Sequence, residues 1–186
     1  MEKNGFTVFD VATNDVNGGS LRVYAAHKES QRPKSDKFYE LIAREQEQKL
    51  GDAAVYQSFF ETVQKLKTSV RNYLEAEIRS GSSVVGLGAS TKGNVLLQFF
   101  DIDRKMMPYI SERNPEKVSL ETLGSGIKLI SEEQARALRP GCMLVLIWFF
   151  KNEILQRERA YLNQGGKLLF PMPYPHIVTK TGEMPL

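Results

Sequence analysis

"VVGLGASTKGNVLLQFF", residues Val84 to Phe100, is the stretch from which the rest of the chain is read. Val84 to Leu87 is an apolar run that reads as a buried strand, and a glycine-rich turn ends it. From Lys92 to about Phe100 the spacing of apolar residues predicts a helix. Strand, glycine turn and helix in direct succession is the unit from which anion-binding α/β sheets are built.

Neither familiar glycine template fits. The dinucleotide fingerprint needs glycines at its first, third and sixth positions. Here they fall at Gly86, Gly88 and Gly93, and Thr91 stands where the third belongs. The P-loop needs a lysine and a hydroxyl residue directly after its last glycine. Gly93 is instead followed by Asn94 and Val95, with Lys92 before it. The physics does not depend on the template. Gly86 and Gly88 allow a tight turn and a close backbone approach around Ala89. Ser90 or Thr91 can cap the helix, whose first amides and positive dipole end then face outward, and Lys92 adds a full charge there. Gly86, Gly88, Ala89, Ser90, Thr91, Lys92, Gly93 and Asn94 thus form a candidate site for a phosphate or diphosphate. The alternative is a glycine turn packed under its helix, with Lys92 in solvent.

Downstream the pattern alternates strand and helix. "MPYISE" reads as a second strand, Ser131 to Leu138 as a helix opened by a capping box of Ser131 and Gln134, and "CMLVLIW" as a fully buried strand. Asn152 to Leu162 reads as a charged amphipathic helix, and "GGKLLFPMP" as a further strand closed by prolines. Continuous apolar strands alternating with helices predict a Rossmann-like α/β fold, its mostly parallel sheet covered by helices on both faces. "SERNPEK" follows the second strand, where doubly wound sheets place an acidic residue on a ribose hydroxyl. Glu112 is the candidate, and Asn114 and Lys117 can add hydrogen bonds to a base or phosphate. A solvated charged loop is the alternative. Trp148 ends the third buried strand and can stack on a ring or pack in the core. Tyr174 and His176 fall in what reads as an exposed proline-rich tail, His176 being a surface residue there.

Upstream, residues 36–80 predict leading amphipathic helices, interrupted near "LGDAA" and closed by Gly81. The apolar stripe from Val55 to Ile78 suits a helix packed on a sheet or a coiled-coil seam. Before a polar linker, "GFTVFDVA" and "GSLRVYAAH" predict an N-terminal strand pair. Two strands alone are marginal in water, so they need a partner, either in this chain or in a sheet absent from it.

Composition narrows the classes. With 41% hydrophobic and 25% charged residues, the chain can build one substantial core. A net charge of +3, with both signs interleaved, does not make a nucleic-acid-binding face. Cys142 is the only cysteine, which excludes a disulfide or cysteine-ligated zinc within this chain, and it reads as a small buried hydrophobe. No apolar run approaches the roughly 20 residues that span a bilayer, and no signal-peptide core opens the chain. These features predict a cytoplasmic protein that binds neither membrane nor nucleic acid.

"GASTKGN", "ERNPEK", "GSGI", "IWFFKNEIL" and "GGKLLFPMP", in that order, resemble the C-terminal domain of the sugar-nucleotide C-methyltransferases. "GF…DV…NGGSLRVYAAH" is similar to the last strands of that family's central methyltransferase domain. The resemblance implies that residues 1–33 belong with that upstream domain. Residues 34–186 would then be the C-terminal nucleotide-sugar-binding domain. It also implies a parent enzyme that methylates a ketosugar carried on a nucleoside diphosphate. The cofactor, S-adenosylmethionine, would be bound outside this chain, with none held by this portion. The family's reacting-centre tyrosine, glutamate and histidine belong to the central domain. Nothing here matches their motif, so no catalytic residue and no metal ligand is carried over, and this portion alone is expected to be inactive. What the resemblance carries over is substrate holding. The loop Gly88–Asn94 would lie against the diphosphate, Glu112, Asn114 and Lys117 near the nucleoside, and Trp148 would match the family's tryptophan. Leu123-Gly124-Ser125, Lys128 and Phe149 depart from the pattern. Two other readings stay open: an oxidoreductase-type domain binding a nicotinamide dinucleotide, and a non-catalytic assembly module.

Overall fold

In the computed structural model, which describes residues 1–186 with the side chain of Asn17 set aside, the chain divides into two units, Met1–Glu61 and Thr62–Leu186. The first begins with β1 (Phe6–Asn14) and β2 (Ser20–His27), paired antiparallel from Phe6↔His27 to Asn14↔Ser20. They form a two-stranded sheet of their own and take no place in the larger one. Helix α1 (Asp36–Glu47) is fastened to β1 through its N-cap. The Ser35 hydroxyl accepts from Phe38 N–H (3.2 Å) and donates to Asp10 Oδ1, while Ser35 N–H donates to Phe9 O at 2.8 Å.

Helix α2 (Ala53–Arg79) ends where the sequence places Gly81. Gly81 has φ +83°, its N–H donates to Ile78 O, and Ser82 N–H donates to Glu77 O. That is the paired bonding of a Schellman stop, and only glycine adopts its φ without strain. Val70 and Leu74 are fully buried in the core beneath the sheet, so this part of α2 is a helix packed on a sheet, not a coiled-coil seam.

The second unit is the predicted α/β fold. Its strands are β3 (Val84–Leu87), β4 (Tyr109–Glu112), β5 (Lys128–Ser131), β6 (Cys142–Val145), β7 (Lys167–Phe170), β8 (His176–Thr179) and β9 (Gly182–Pro185). They lie in the order β5-β4-β3-β6-β7-β8-β9, with the first five parallel and the last two antiparallel. Alternation along each strand splits the core. Val84, Ile110, Leu144 and Leu169 face α2 and α3 (Thr91–Phe99). Leu87, Met143, Val145 and Leu168 face α5 (Lys151–Arg157) and α6 (Arg159–Asn163), while Val85 and Ile130 meet α4 (Glu132–Ala137). Burying each such side chain contributes on the order of 2 kcal/mol, which is what covers the sheet on both faces. Cys142 is buried in this core, as read from sequence. Among the described residues no helix is long and apolar enough to cross a membrane, and no cluster of metal-ligating side chains occurs.

Three readings need correction. The C-terminal segment is not an exposed tail: His176 and Ile177 are buried in β8, which pairs with β7 and β9. Asn152 to Leu162 is two helices, not one, broken at the fully buried Glu158 (φ −89°, ψ 10°). The third buried strand ends at Val145, so Trp148 lies beyond it, in a 3₁₀ turn, Trp148–Phe150.

Candidate functional site

The strand order reverses between β3 and β6, because β4 and β5 extend the sheet to one side and β6 to β9 to the other. At the carboxyl ends of such a pair the following loops diverge, and a crevice opens there. The glycine loop leaves β3 at that point. Gly88 has φ +79°, and a Cβ on it would meet the Ile147 side chain at 2.6 Å, so both conformation and space demand glycine. Gly93 faces β6 in the same way: its Cβ would lie 2.8 Å from Leu146 Cβ. Gly86 lies inside the core, where a Cβ would meet Ile110 at 2.7 Å. It is a packing glycine, away from the loop's outer face.

Ser90, not Thr91, caps α3. Its Oγ accepts from Gly93 N–H at 2.9 Å and donates to Leu146 O at 2.9 Å, so the cap also ties the loop to β6. Thr91 and Lys92 are exposed, and Lys92 Nζ stands 4.9 Å from the centre of the Phe149 ring. Asn94 is half-buried, and its side-chain oxygen is buried without a hydrogen-bond partner.

Glu112 joins the two loops that the sequence singles out. Its carboxylate is buried at the end of β4, where Oε2 accepts from Ala89 N–H (3.0 Å) and Oε1 from Asn114 N–H (2.8 Å). Lys117 Nζ reaches back to Ala89 O at 3.4 Å, and the Asn114 side chain accepts from Glu116 N–H at 3.0 Å. The structure thus brings Gly88 to Asn94, Glu112, Asn114 and Lys117 into one rim. Trp148 packs, half-buried, against both layers of the core, with its ring 5.8 Å from that of Phe149.

The amides differ most from the sequence expectation. Gly88 N–H donates to Ser111 O, Ala89 N–H to Glu112, Gly93 N–H to Ser90 Oγ, and Asn94 N–H to Ser90 O. Most of the loop's donors are therefore committed inside the protein. Thr91, in the first turn, keeps an N–H with no carbonyl four residues earlier in the helix. An anion at this rim would rely on that helix start and on the exposed ammonium groups of Lys92 and Lys117.

Sequence reasoning missed a second cluster on the same sheet edge. His176 Nε2 lies 2.9 Å from Lys151 Nζ, and its Nδ1 lies 2.8 Å from Tyr174 O. Since an ammonium only donates, Nε2 accepts and Nδ1 carries the proton. Lys151 also bonds Glu183 at 2.7 Å, and the Tyr174 hydroxyl donates to Glu183 at 3.0 Å. Hydrogen bonds from Lys151 outweigh a small burial effect and hold the Glu183 carboxyl below its usual range. The cluster pins the end of the Trp148–Phe150 turn to β8 and β9. Its sequence signal was the alternation of "HIVT" and "GEMP" about a short turn, which the neighbouring prolines mask.

Comparison with known proteins fits this architecture. Residues 15–173 match the family described as the C-methyltransferase C-terminal domain. C-methyltransferase NovU of Streptomyces niveus is 30% identical over 179 residues, which cover 96% of this chain and 43% of that protein. The chain therefore spans less than half the length of that relative.

Proposed function

We propose, from the premise that this chain belongs to the C-methyltransferase C-terminal-domain family, that it is the substrate-holding portion of an S-adenosylmethionine-dependent enzyme acting on a nucleoside-diphosphate ketosugar. The observation that carries the reading is the Glu112 bridge, which makes the glycine loop and the 112–117 loop one rim at the switch point. In this reading the diphosphate lies against the start of α3 beside Lys92 and Lys117. Asn114 and the second lone pairs of the Glu112 oxygens meet the nucleoside, and the sugar extends past Trp148.

Methyl transfer at carbon requires loss of the proton beside the sugar's carbonyl. The proton would go to a base that we place outside this chain, and the sugar carbon would then be the nucleophile that takes up a methyl group. S-adenosylmethionine would supply that electrophilic methyl from the upstream methyltransferase domain, the partner expected in the same polypeptide. The space beside Gly86, Gly88 and Gly93 is filled by Ile110, Ile147 and Leu146, and we assign none of this chain's residues to the cofactor. Its contribution is positioning, since holding two reactants in register makes an encounter effectively intramolecular. Binding energy from the remote nucleotide can orient the reacting sugar carbon.

Calorimetric titration with thymidine or uridine diphosphate tests this. Binding that weakens about tenfold in Lys92→Ala, equivalent to ~1.4 kcal/mol, is the expected result. Tighter binding of a nicotinamide dinucleotide would favour an oxidoreductase-type domain instead. No binding of any nucleotide would leave an assembly module.

A further inference from the structure

At the amino ends of β6 and β7, on the sheet edge opposite the glycine loop, a cavity of about 660 Å³ is lined by Arg136, Arg139, Arg157, Tyr161 and the Gly165-Gly166 turn. That volume is within the range of small-molecule sites. We infer that this cavity binds a small phosphate-bearing ligand, at a site separate from the nucleotide rim.

Three features support the inference. Glu158 is fully buried behind the cavity: Arg136 Nη2 lies 2.5 Å from its Oε2, and Arg157 Nε donates to its Oε1 at 3.2 Å. The Arg136 contact is close but lacks hydrogen-bond alignment, which leaves Oε2 without a hydrogen-bond partner. A fully buried carboxylate is a costly way to gain stability, and its effect here is to fix two guanidinium groups that are themselves 40% and 25% exposed. The charge is not balanced locally. Arg157 also approaches Glu132 at 3.6 Å, so three arginines against two carboxylates leave one positive charge over. That charge belongs to Arg139, which has no ion-pair partner among the described residues. It stands with φ +47° just after α4, where glycine is the easy choice. The floor is rigid. Tyr161 donates to Pro140 O at 3.0 Å and lies against Gly166, where any Cβ would fall 2.3 Å from the ring.

Three arginine side chains line this one cavity, two of them held in place by Glu158, and such a lining suits a tetrahedral oxyanion with several acceptor oxygens, whereas one fork suffices for a carboxylate. The carbonyl ends of α4 and α6 also face this edge and oppose an anion, but these helices have only six and five residues.

The test is a nuclear magnetic resonance titration of the chain with inorganic pyrophosphate. The amides of Gly141, Gly165 and Gly166 report on this edge, and those of Gly88 and Gly93 on the other. Saturable shifts are expected at the first set. Arg139→Ala should weaken them at least tenfold and leave any response of the second set as it is in the native chain, and malonate at equal ionic strength should bind more weakly at the first set. Lys92→Ala should leave the first set unchanged. Still first-set amides at millimolar pyrophosphate, unchanged affinity in Arg139→Ala, or malonate binding as tightly as pyrophosphate would each overturn the proposal.

Discussion

Glu112→Gln isolates the contact on which the candidate site depends. In the native chain two backbone amides, Ala89 N–H and Asn114 N–H, each donate to one oxygen of a buried carboxylate. Glutamine has nearly the same shape but only one oxygen. Whichever amide keeps it, the other then faces an NH₂ group and loses its acceptor. A hydrogen bond to a charged group is worth about 1.5–3 kcal/mol, and the surviving bond loses its charge assistance. The expected destabilisation is therefore about 2–4 kcal/mol. For a unit of the size of Thr62–Leu186, each kcal/mol lowers the melting temperature by about 3–5 °C, so a drop of about 6–20 °C is expected. Differential scanning calorimetry measures it, with exposed Glu116→Gln as the control that should change stability by about 0.5 kcal/mol or less. Nucleoside-diphosphate affinity should fall as well, since the two loops lose their common tie. If Glu112→Gln melts with the native protein and binds as well, Glu112 does not organise the rim.

Gly88→Ala should destabilise by about 2–4 kcal/mol in urea unfolding, from the strain at φ +79° and the overlap with Ile147. Lys167→Ala tests the Glu77 ion pair, where the buried carboxylate lies 2.6 Å from Lys167 Nζ. Burial is the largest single influence and raises the Glu77 pKa, but Lys167, through its hydrogen bond and its charge, acts with Tyr73 and Ser82 to hold the group below its usual 4.5. A depressed carboxylate contributes stability above its unfolded pKa and loses it as pH falls through the folded value. Native stability should thus decline below about pH 4.5, whereas in Lys167→Ala, with the main lowering partner gone, stability at pH 7 should fall and the decline on acidification should be smaller. Urea midpoints across that range distinguish the two. Incubation of the purified chain with S-adenosylmethionine and a nucleoside-diphosphate ketosugar should give no methylated product by mass spectrometry, and measurable turnover would place the reacting groups in this chain.

Local chemistry was legible in the sequence, and pairing between distant residues was not. The capping box at Ser131 and Gln134 and the glycine stop at Gly81 are read from neighbours a few residues apart, and both occur as expected. Strand β5 is four residues, "KLIS", running directly into that capping box, and it becomes a strand only because β4 lies beside it. Strands β8 and β9 likewise depend on β7, which draws His176 inside although prolines flank it. The helix break at Glu158 could not be read locally, because it follows from burying a carboxylate between Arg136 and Arg157. Glu112 was identified, but its partner Ala89 is 23 residues away, so its bridging role was invisible.

The glycine loop is held from two sides, by Glu112 from β4 and by Leu146 and Ile147 just after β6. Its glycines and most of its amides are spent on those contacts, which makes the loop a stiff support and not a flexible cradle. A stiff support is what positioning needs, because a ligand then meets groups already ordered. On the proposed reading, affinity comes from side chains standing on the support, chiefly Lys92 and Lys117, while the glycines contribute shape alone. The two classes of substitution should therefore separate. Changes at Gly88 or Gly93 should lower unfolding free energy first and affinity only in proportion to the folded fraction. Changes at the exposed Lys92 should lower affinity and, through the lost contact with the Phe149 ring, cost about 1 kcal/mol of unfolding free energy or less. A glycine variant that folds with native stability yet loses nucleotide binding would show that the loop's backbone, and not its lysine, grips the ligand.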